Sequence, residues 1–193
     1  VVCRGTGSAP VTLAQGNELT PTFTAESFPT LSVTRSGPGS GSGFSDPPGT
    51  IDCPATNCSS QVGIGSTIQL TALPNASSTF GSWSGCTSAT GPSCSVTMGS
   101  DDKTVTATFN SARAQISGVG YTTLAAAYAT SFGSTPILLL DGNLGEGLTV
   151  TKSVTLKGGY NASFSGLTGL FTNLNSPLTV QSGTLTVDRI TVK

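Results

Sequence analysis

One stretch constrains this chain more than any other: residues 80–98, FGSWSGCTSATGPSCSVTM. It holds the only tryptophan, Trp83, and two of the five cysteines, Cys86 and Cys94, with a glycine-containing turn between them. Two β-branched runs flank it, TIQLTA at residues 67–72 and TVTATF at residues 104–109. Both alternate apolar and polar residues at the two-residue period of a strand with one buried face. In a chain with only 6% aromatic residues, a single Trp between strands and beside a cysteine pair is expected to anchor the core of a small β module.

The remaining cysteines sharpen this. Four residues separate Cys53 from Cys58, seven separate Cys86 from Cys94, and Cys3 stands alone. Two close pairs in a weakly charged, Gly/Ser-rich chain favour disulfides in an oxidising, extracytoplasmic setting. A four-thiolate zinc site is the rival. The spacings are looser than zinc knuckles and no basic residues accompany them, so disulfides are preferred. Four cysteines allow three pairings; the two local ones, Cys53 with Cys58 and Cys86 with Cys94, are favoured. Cys3 is left unpaired or bonded to another chain.

Composition excludes more than it assigns. The chain has no histidine, which removes Ser-His-Asp and Cys-His catalysis and His-ligated zinc or haem. Only 9% of residues are charged and the net charge is −1, so nothing marks a nucleic-acid or anionic-lipid partner. No run reaches membrane-spanning length; PILLL at residues 136–140 is far too short. Val1-Val2-Cys3-Arg4 has neither the basic nor the apolar region of a signal peptide. An exported protein would therefore be read here in mature form or as an excerpt.

From the N-terminus, VTL at residues 11–13 and LTPTFT at residues 19–24 align with VTM at 96–98 and VTATFN at 105–110. Residues 1–28 are thus either the tail of an earlier copy of the same module or a chance likeness between Thr-rich strands. LSVTR at 31–35 alternates as a strand. SGPGSGSGFS at 36–45 has the composition of a flexible linker, but its position suggests a glycine-rich turn or irregular strand inside the module. DPPG at 46–49 is a turn. Ile64, Ile68, Leu70 and Ala72 mark one or two strands, and the second cysteine pair and two closing strands follow.

This order of residues resembles the divergent B-repeat modules of bacterial surface proteins, relatives of the internalin B repeat. The likeness runs over residues 30–110 and rests on Gly49, Cys53, Cys58, Gly65, Thr67, Leu70, Ala72, Pro74, Phe80, Trp83, Gly85, Cys86, Cys94, Val96, Met98, Val105, Ala107 and Phe109. It implies a small β-grasp-like or β-sandwich unit on secreted or surface-anchored proteins, and it carries no catalytic residues.

Residues 111–120 read as a junction. YTTLAAAYATSF at 121–132 is the one helical pattern, with Leu124, Ala125, Tyr128 and Phe132 on one face and Thr122 or Thr123 as cap. Beyond it, LTVTKSVTL at 148–156 recurs as LTVQSGTLTV at 178–187, a period expected of stacked coils. The opening of residues 113–193 resembles the start of right-handed parallel β-helix proteins, in which an amphipathic helix plugs the first coil. Only two or three coils would fit before Lys193, which would leave strand edges and an apolar interior for further coils or neighbouring subunits to cover.

Candidates for chemistry are sparse. Carbohydrate-cleaving β-helices need clustered carboxylates, and here only Asp141, Glu146 and Asp188, with Lys152, Lys157 and Arg189, are available. Each fits a turn or strand end better. Asp101-Asp102 reads as a turn tip, and Gly158-Gly159-Tyr160 as a coil corner, since no Lys-Ser/Thr follows. Tyr121, Tyr160 and Trp83 could stack on sugars but are scattered. Asn57, Asn75 and Asn161 head N-x-S triplets, which matter only in a glycosylating secretory pathway.

The expectation is an all-β protein in three segments: strand-rich residues 1–28, a disulfide-stapled B-repeat-like domain at 29–111, and a short right-handed parallel β-helix-like domain with its capping helix at 112–193. Its expected role is non-enzymatic, without cofactor or metal: a bacterial surface adhesin or fibre subunit that self-associates through strand ends. The alternative is a polysaccharide-binding or polysaccharide-cleaving β-helix fragment.

Overall fold

Strand alternation sets the architecture. The computed structural model describes residues 11–12, 18–19, 28–46, 51–54 and 57–193. Two short strands, β1 (Val11–Thr12) and β2 (Glu18–Leu19), pair antiparallel with Val11 opposite Leu19. Cys3 and most of the segment 1–28 lie outside the described residues.

Nine strands follow: β3 (Thr30–Ser36), β4 (Gly41–Asp46), β5 (Asp52–Cys53), β6 (Ser59–Gln61), β7 (Thr67–Pro74), β8 (Ser78–Ser84), β9 (Ser88–Thr90), β10 (Ser93–Thr97) and β11 (Lys103–Ser111). They form two sheets, ordered β5-β4-β7-β10-β9 and β6-β3-β11-β8. Every pair is antiparallel except β3 with β11, which run parallel with Val33 beside Val105. In β7 the residues Ile68, Leu70 and Ala72 are buried while Thr67, Gln69, Thr71 and Leu73 are exposed. In β11 the buried set is Val105, Ala107 and Phe109. These inward rows meet between the sheets, so Leu31, Val33, Val105, Ile68, Leu70, Cys94 and Val96 form one cluster. Ala72, Ala107 and Phe109 form an adjoining one.

The outward rows are almost purely hydroxyl. Thr34 and Thr106 Oγ1 lie 2.7 Å apart, Ser36 Oγ and Thr108 Oγ1 2.8 Å, and Thr67 and Thr97 Oγ1 3.0 Å. Such cross-strand pairs each add a few tenths of a kcal/mol up to about 1 kcal/mol.

Two expectations change here. The core anchor is Phe109, fully buried, rather than Trp83. Trp83 is half-buried, packs beside Phe80 at 6.2 Å, and donates its indole N–H to the Pro92 carbonyl at 2.8 Å. A tryptophan at a sheet margin can seal apolar surface while keeping its N–H satisfied. Ile64 sits in a turn and is exposed, and Val62 takes the buried position before β7. The Gly/Ser run is a turn and a strand inside the module, as its position suggests: β4 pairs with β7 in register from Gly41 opposite Pro74 to Asp46 opposite Gln69. Gly41 makes room for an aromatic ring: a Cβ there would collide with Phe109, whereas one on Gly43 would sit in ordinary contact, 3.6 Å from Trp83 Cη2.

The chain continues through β12 (Ala114–Ile116), β13 (Val119–Tyr121), α1 (Leu124–Thr130), β14 (Ile137–Leu140), β15 (Gly142–Asn143), β16 (Leu148–Val150), β17 (Val154–Tyr160), β18 (Thr172–Leu174), β19 (Leu178–Val180), β20 (Leu185–Asp188) and β21 (Ile190–Val192). Three parallel ladders result, and the chain visits them in rotation: β14-β17-β20, β15-β18-β21 and β16-β19. Antiparallel β12 and β13 extend the first ladder. Leu148 pairs with Leu178 and Val150 with Val180, the register that the recurring LTV motif marks in the sequence. Leu124, Ala127, Tyr128, Ile137, Leu139, Leu148, Val150, Leu156 and Leu174 gather into a separate core, which shares no residue with the clusters between the first two sheets.

The helix is shorter than the pattern at 121–132, and its buried face differs. Leu124, Ala127 and Tyr128 point inward at i, i+3 and i+4, whereas Ala125 is exposed and Phe132 lies past the helix end, 82% exposed. Thr123 is the N-cap, its hydroxyl accepting from the Ala126 N–H at 3.1 Å.

Candidate functional site

The two cysteine pairs are disulfides, Cys53–Cys58 and Cys86–Cys94. The first ties β5 to the residue just before β6, and so links the ends of the two sheets. The second joins Cys86, in the connection between β8 and β9, to Cys94 in β10 of the β9–β10 hairpin. Cys53 and Cys94 are buried in the shared core, so each bridge fastens a sheet margin to its interior. The hairpin is also held by Thr87, which donates its N–H to Ser95 O at 2.8 Å and accepts from the Thr97 N–H at 2.9 Å.

A second cluster surrounds α1. Glu146 Oε2 accepts from the Leu124 N–H at 2.8 Å, placing a carboxylate at the helix N-terminus. Lys152 Nζ donates to Ser131 O at 2.7 Å and to Ala129 O at 3.3 Å at the other end. Each charge complements the partial charge of the end it meets. The Lys152 ammonium also lies 4.9 Å from the Tyr128 ring centroid and 5.3 Å from that of Phe132. The Tyr128 hydroxyl accepts from the backbone N–H of Thr151 at 2.6 Å and of Lys152 at 2.9 Å, and it lies 3.3 Å from Thr151 Oγ1. Desolvation acts to raise the Tyr128 pKa, but these bonds and the Lys152 charge outweigh it and bring it below the ordinary tyrosine value.

The sequence-predicted charged candidates are not brought together for chemistry. Glu146 and Lys152 serve the two ends of α1. Asp188 stands in register beside Lys157 in β20 and β17, and Asp141 lies after β14. Arg189 is a corner residue with φ +54°. Gly158 and Gly159 lie in β17 and are buried, where a Cβ on Gly158 would strike Thr172 and Arg189. Among the described residues no group of three or more His, Cys, Asp or Glu is placed to hold a metal ion. Tyr121 and Tyr160 are half-buried, at the end of β13 and the end of β17, and neither neighbours Trp83 in a ring contact.

The remaining feature is the far edge of the ladders. β19, β20 and β21 each stand last in their ladder. Val180, Val187 and Val192 stack on the buried Val150, Leu156 and Leu174, yet each is about half exposed.

These disulfides staple two packed sheets, one of which holds the β3–β11 parallel pair. Residues 47–113 match the family model of the divergent InlB B-repeat domain. The B-repeat match takes in both disulfides, Trp83 and strands β5 to β11, while β3 and β4 lie upstream of it. Those two strands occupy interior positions in the two sheets, so the sheets that hold the matched residues also include residues from Thr30 onward. No curated protein and no solved structure matches the chain. No helix among the described residues is long and apolar enough to cross a membrane.

Proposed function

We propose that this chain is a non-enzymatic structural or adhesive segment of a bacterial surface protein, built from a B-repeat module and the first coils of a right-handed parallel β-helix. The observation that carries the reading is the B-repeat match over a doubly disulfide-bonded unit, since modules of this kind occur in bacterial surface proteins and their bridges suit an oxidising, extracytoplasmic space. The β-helix part is supported by the rotation of the chain through three parallel ladders. Parallel crossovers are right-handed in nearly all proteins, and α1 lies against β12, β13 and β14 where a coil-end plug would sit.

On this reading the molecule works through its strand edges. β19, β20 and β21 offer backbone N–H and C=O groups and half-exposed valines to a further parallel layer, supplied by the same polypeptide or by a neighbour. The chain needs no cofactor for this role and holds its shape by burial and cross-links.

Electron microscopy and light scattering of the purified chain under non-reducing conditions test the proposal. Ordered end-to-end association that depends on these strands is expected, and lysine in place of Val180, Val187 and Val192 should abolish it. Turnover of a polysaccharide by the purified chain would sink the non-enzymatic reading.

A further inference from the structure

We propose that the groove between the loop at residues 131–134 and strands β17 and β20 binds a neutral glycan. The groove has a volume of about 500 Å³, and its lining includes Phe132, Lys152, Ser153, Thr155, Thr184 and Thr186. A single exposed aromatic needs no special explanation. Phe132 differs because its position is fixed from both sides. Ser131 is buried, donates its hydroxyl to Tyr128 O at 2.8 Å and receives Lys152 Nζ on its own carbonyl at 2.7 Å. Gly133, at φ +63°, turns the chain immediately after. The ring is therefore held at the rim of the groove with 82% of its surface in solvent.

The floor supplies the complementary polar groups. Thr155 and Thr186 are neighbours in the β17–β20 register, and Ser153 Oγ accepts from the Thr184 N–H at 3.1 Å. Among the described residues, no hydrogen bond engages the hydroxyls of Thr155, Thr184 or Thr186. Each is free to donate and accept. An aromatic plane beside a row of free hydroxyls matches a pyranose, whose C–H face stacks on the ring while its own hydroxyls exchange hydrogen bonds with the threonines.

The charge balance narrows the ligand. No carboxylate lines the groove, so nothing selects a cationic ligand. Lys152 is the single cation there, and its ammonium is already committed to the carbonyls of Ala129 and Ser131 and to the rings of Tyr128 and Phe132. That leaves a neutral sugar chain as the best fit. Glycan binding is one way to supply the adhesion proposed above, but its chemistry does not depend on assembly through strand edges.

Affinity electrophoresis of the whole chain through gels carrying laminarin, hydroxyethylcellulose, dextran or polygalacturonate decides the matter. Retardation by at least one of the three neutral polymers is expected. Phe132→Ala should weaken it roughly three- to tenfold, Phe132→Trp should preserve it, and the double variant Thr155→Val, Thr186→Val should weaken it with the thermal midpoint little changed. The proposal is overturned if no neutral polymer retards the native chain, or if Phe132→Ala migrates as the native protein does. Retardation by polygalacturonate alone, lost on adding salt, also overturns it. Filaments seen without glycan binding would leave the assembly reading standing and remove only this one.

Discussion

Tyr128 shows how much one side chain can organise. Its ring fills the core under α1, and its oxygen collects the N–H groups of Thr151 and Lys152 at the turn between β16 and β17. Hydrogen bonds donated to the oxygen favour the phenolate, so the folded-state pKa lies below the unfolded value of 10.0. Between those two values the unfolded chain holds more protons, and stability from this group rises with pH; it is lost as pH falls through the folded pKa. Tyr128 should therefore form tyrosinate below the ordinary tyrosine value, and Tyr128→Phe should remove that early step. The same variant should melt at a lower temperature, by a margin that widens toward the unfolded pKa. A spectrophotometric titration of the native chain that Tyr128→Phe leaves unchanged below the ordinary value would contradict this. A glycine supplies the second residue-scale prediction. At Gly41 a methyl group would meet the Phe109 ring and the Leu73 carbonyl, so Gly41→Ala should cost about 1–3 kcal/mol by urea denaturation.

Elements were legible in the sequence where a periodic signal coincided with burial, and obscure where a neighbour decided the outcome. β7, β11 and the LTV pair of β16 and β19 could be read directly, because alternation at period two reports which side chains face inward. β4 could be read only as a turn or irregular strand, because Gly41 answers to Phe109, which is distant in sequence and adjacent only after the sheets pack. α1 was located correctly but its face was misassigned. The inward direction was set by the core around Leu156 and Leu174, and Phe132 was carried outside by the turn at Gly133. The cysteine pairs were legible as local bridges, and the hairpin of β9 and β10 shows what the second one secures. Removing it with Cys86→Ala and Cys94→Ala should lower stability by about 2–3 kcal/mol for a loop of this length. Because Thr87 and the Trp83–Pro92 hydrogen bond still hold the hairpin, the variant should fold, with its urea midpoint reporting the loss.

At the scale of the whole molecule, the apolar residues divide into a core between the two antiparallel-rich sheets and a core inside the parallel ladders. The seam between them is narrow and largely polar. Gln115 Nε2 donates to Ala76 O at 3.0 Å, the Ala112 N–H donates to Ser77 O at 2.9 Å, and Gly120 lies against the carbonyls of Ala76 and Ser78. Both disulfides lie in the first part, and within the described residues the second holds its shape by burial and hydrogen bonds without a disulfide. Cooperativity between parts depends on the area and quality of their contact, so a thin seam lets each unfold on its own terms. Reduction should then act on one side only. In calorimetry, a thiol reductant should split the transition or widen an existing split, moving the B-repeat component to lower temperature and leaving the ladder component nearly in place. The optical probes separate the two, since Trp83 reports only on the B-repeat unit while Tyr121, Tyr128 and Tyr160 all lie beyond it. Tryptophan fluorescence should follow the early transition, and tyrosine near-ultraviolet dichroism the late one. If reduction lowers both by the same amount, the two cores unfold as one unit and the seam is far stronger than its few hydrogen bonds indicate.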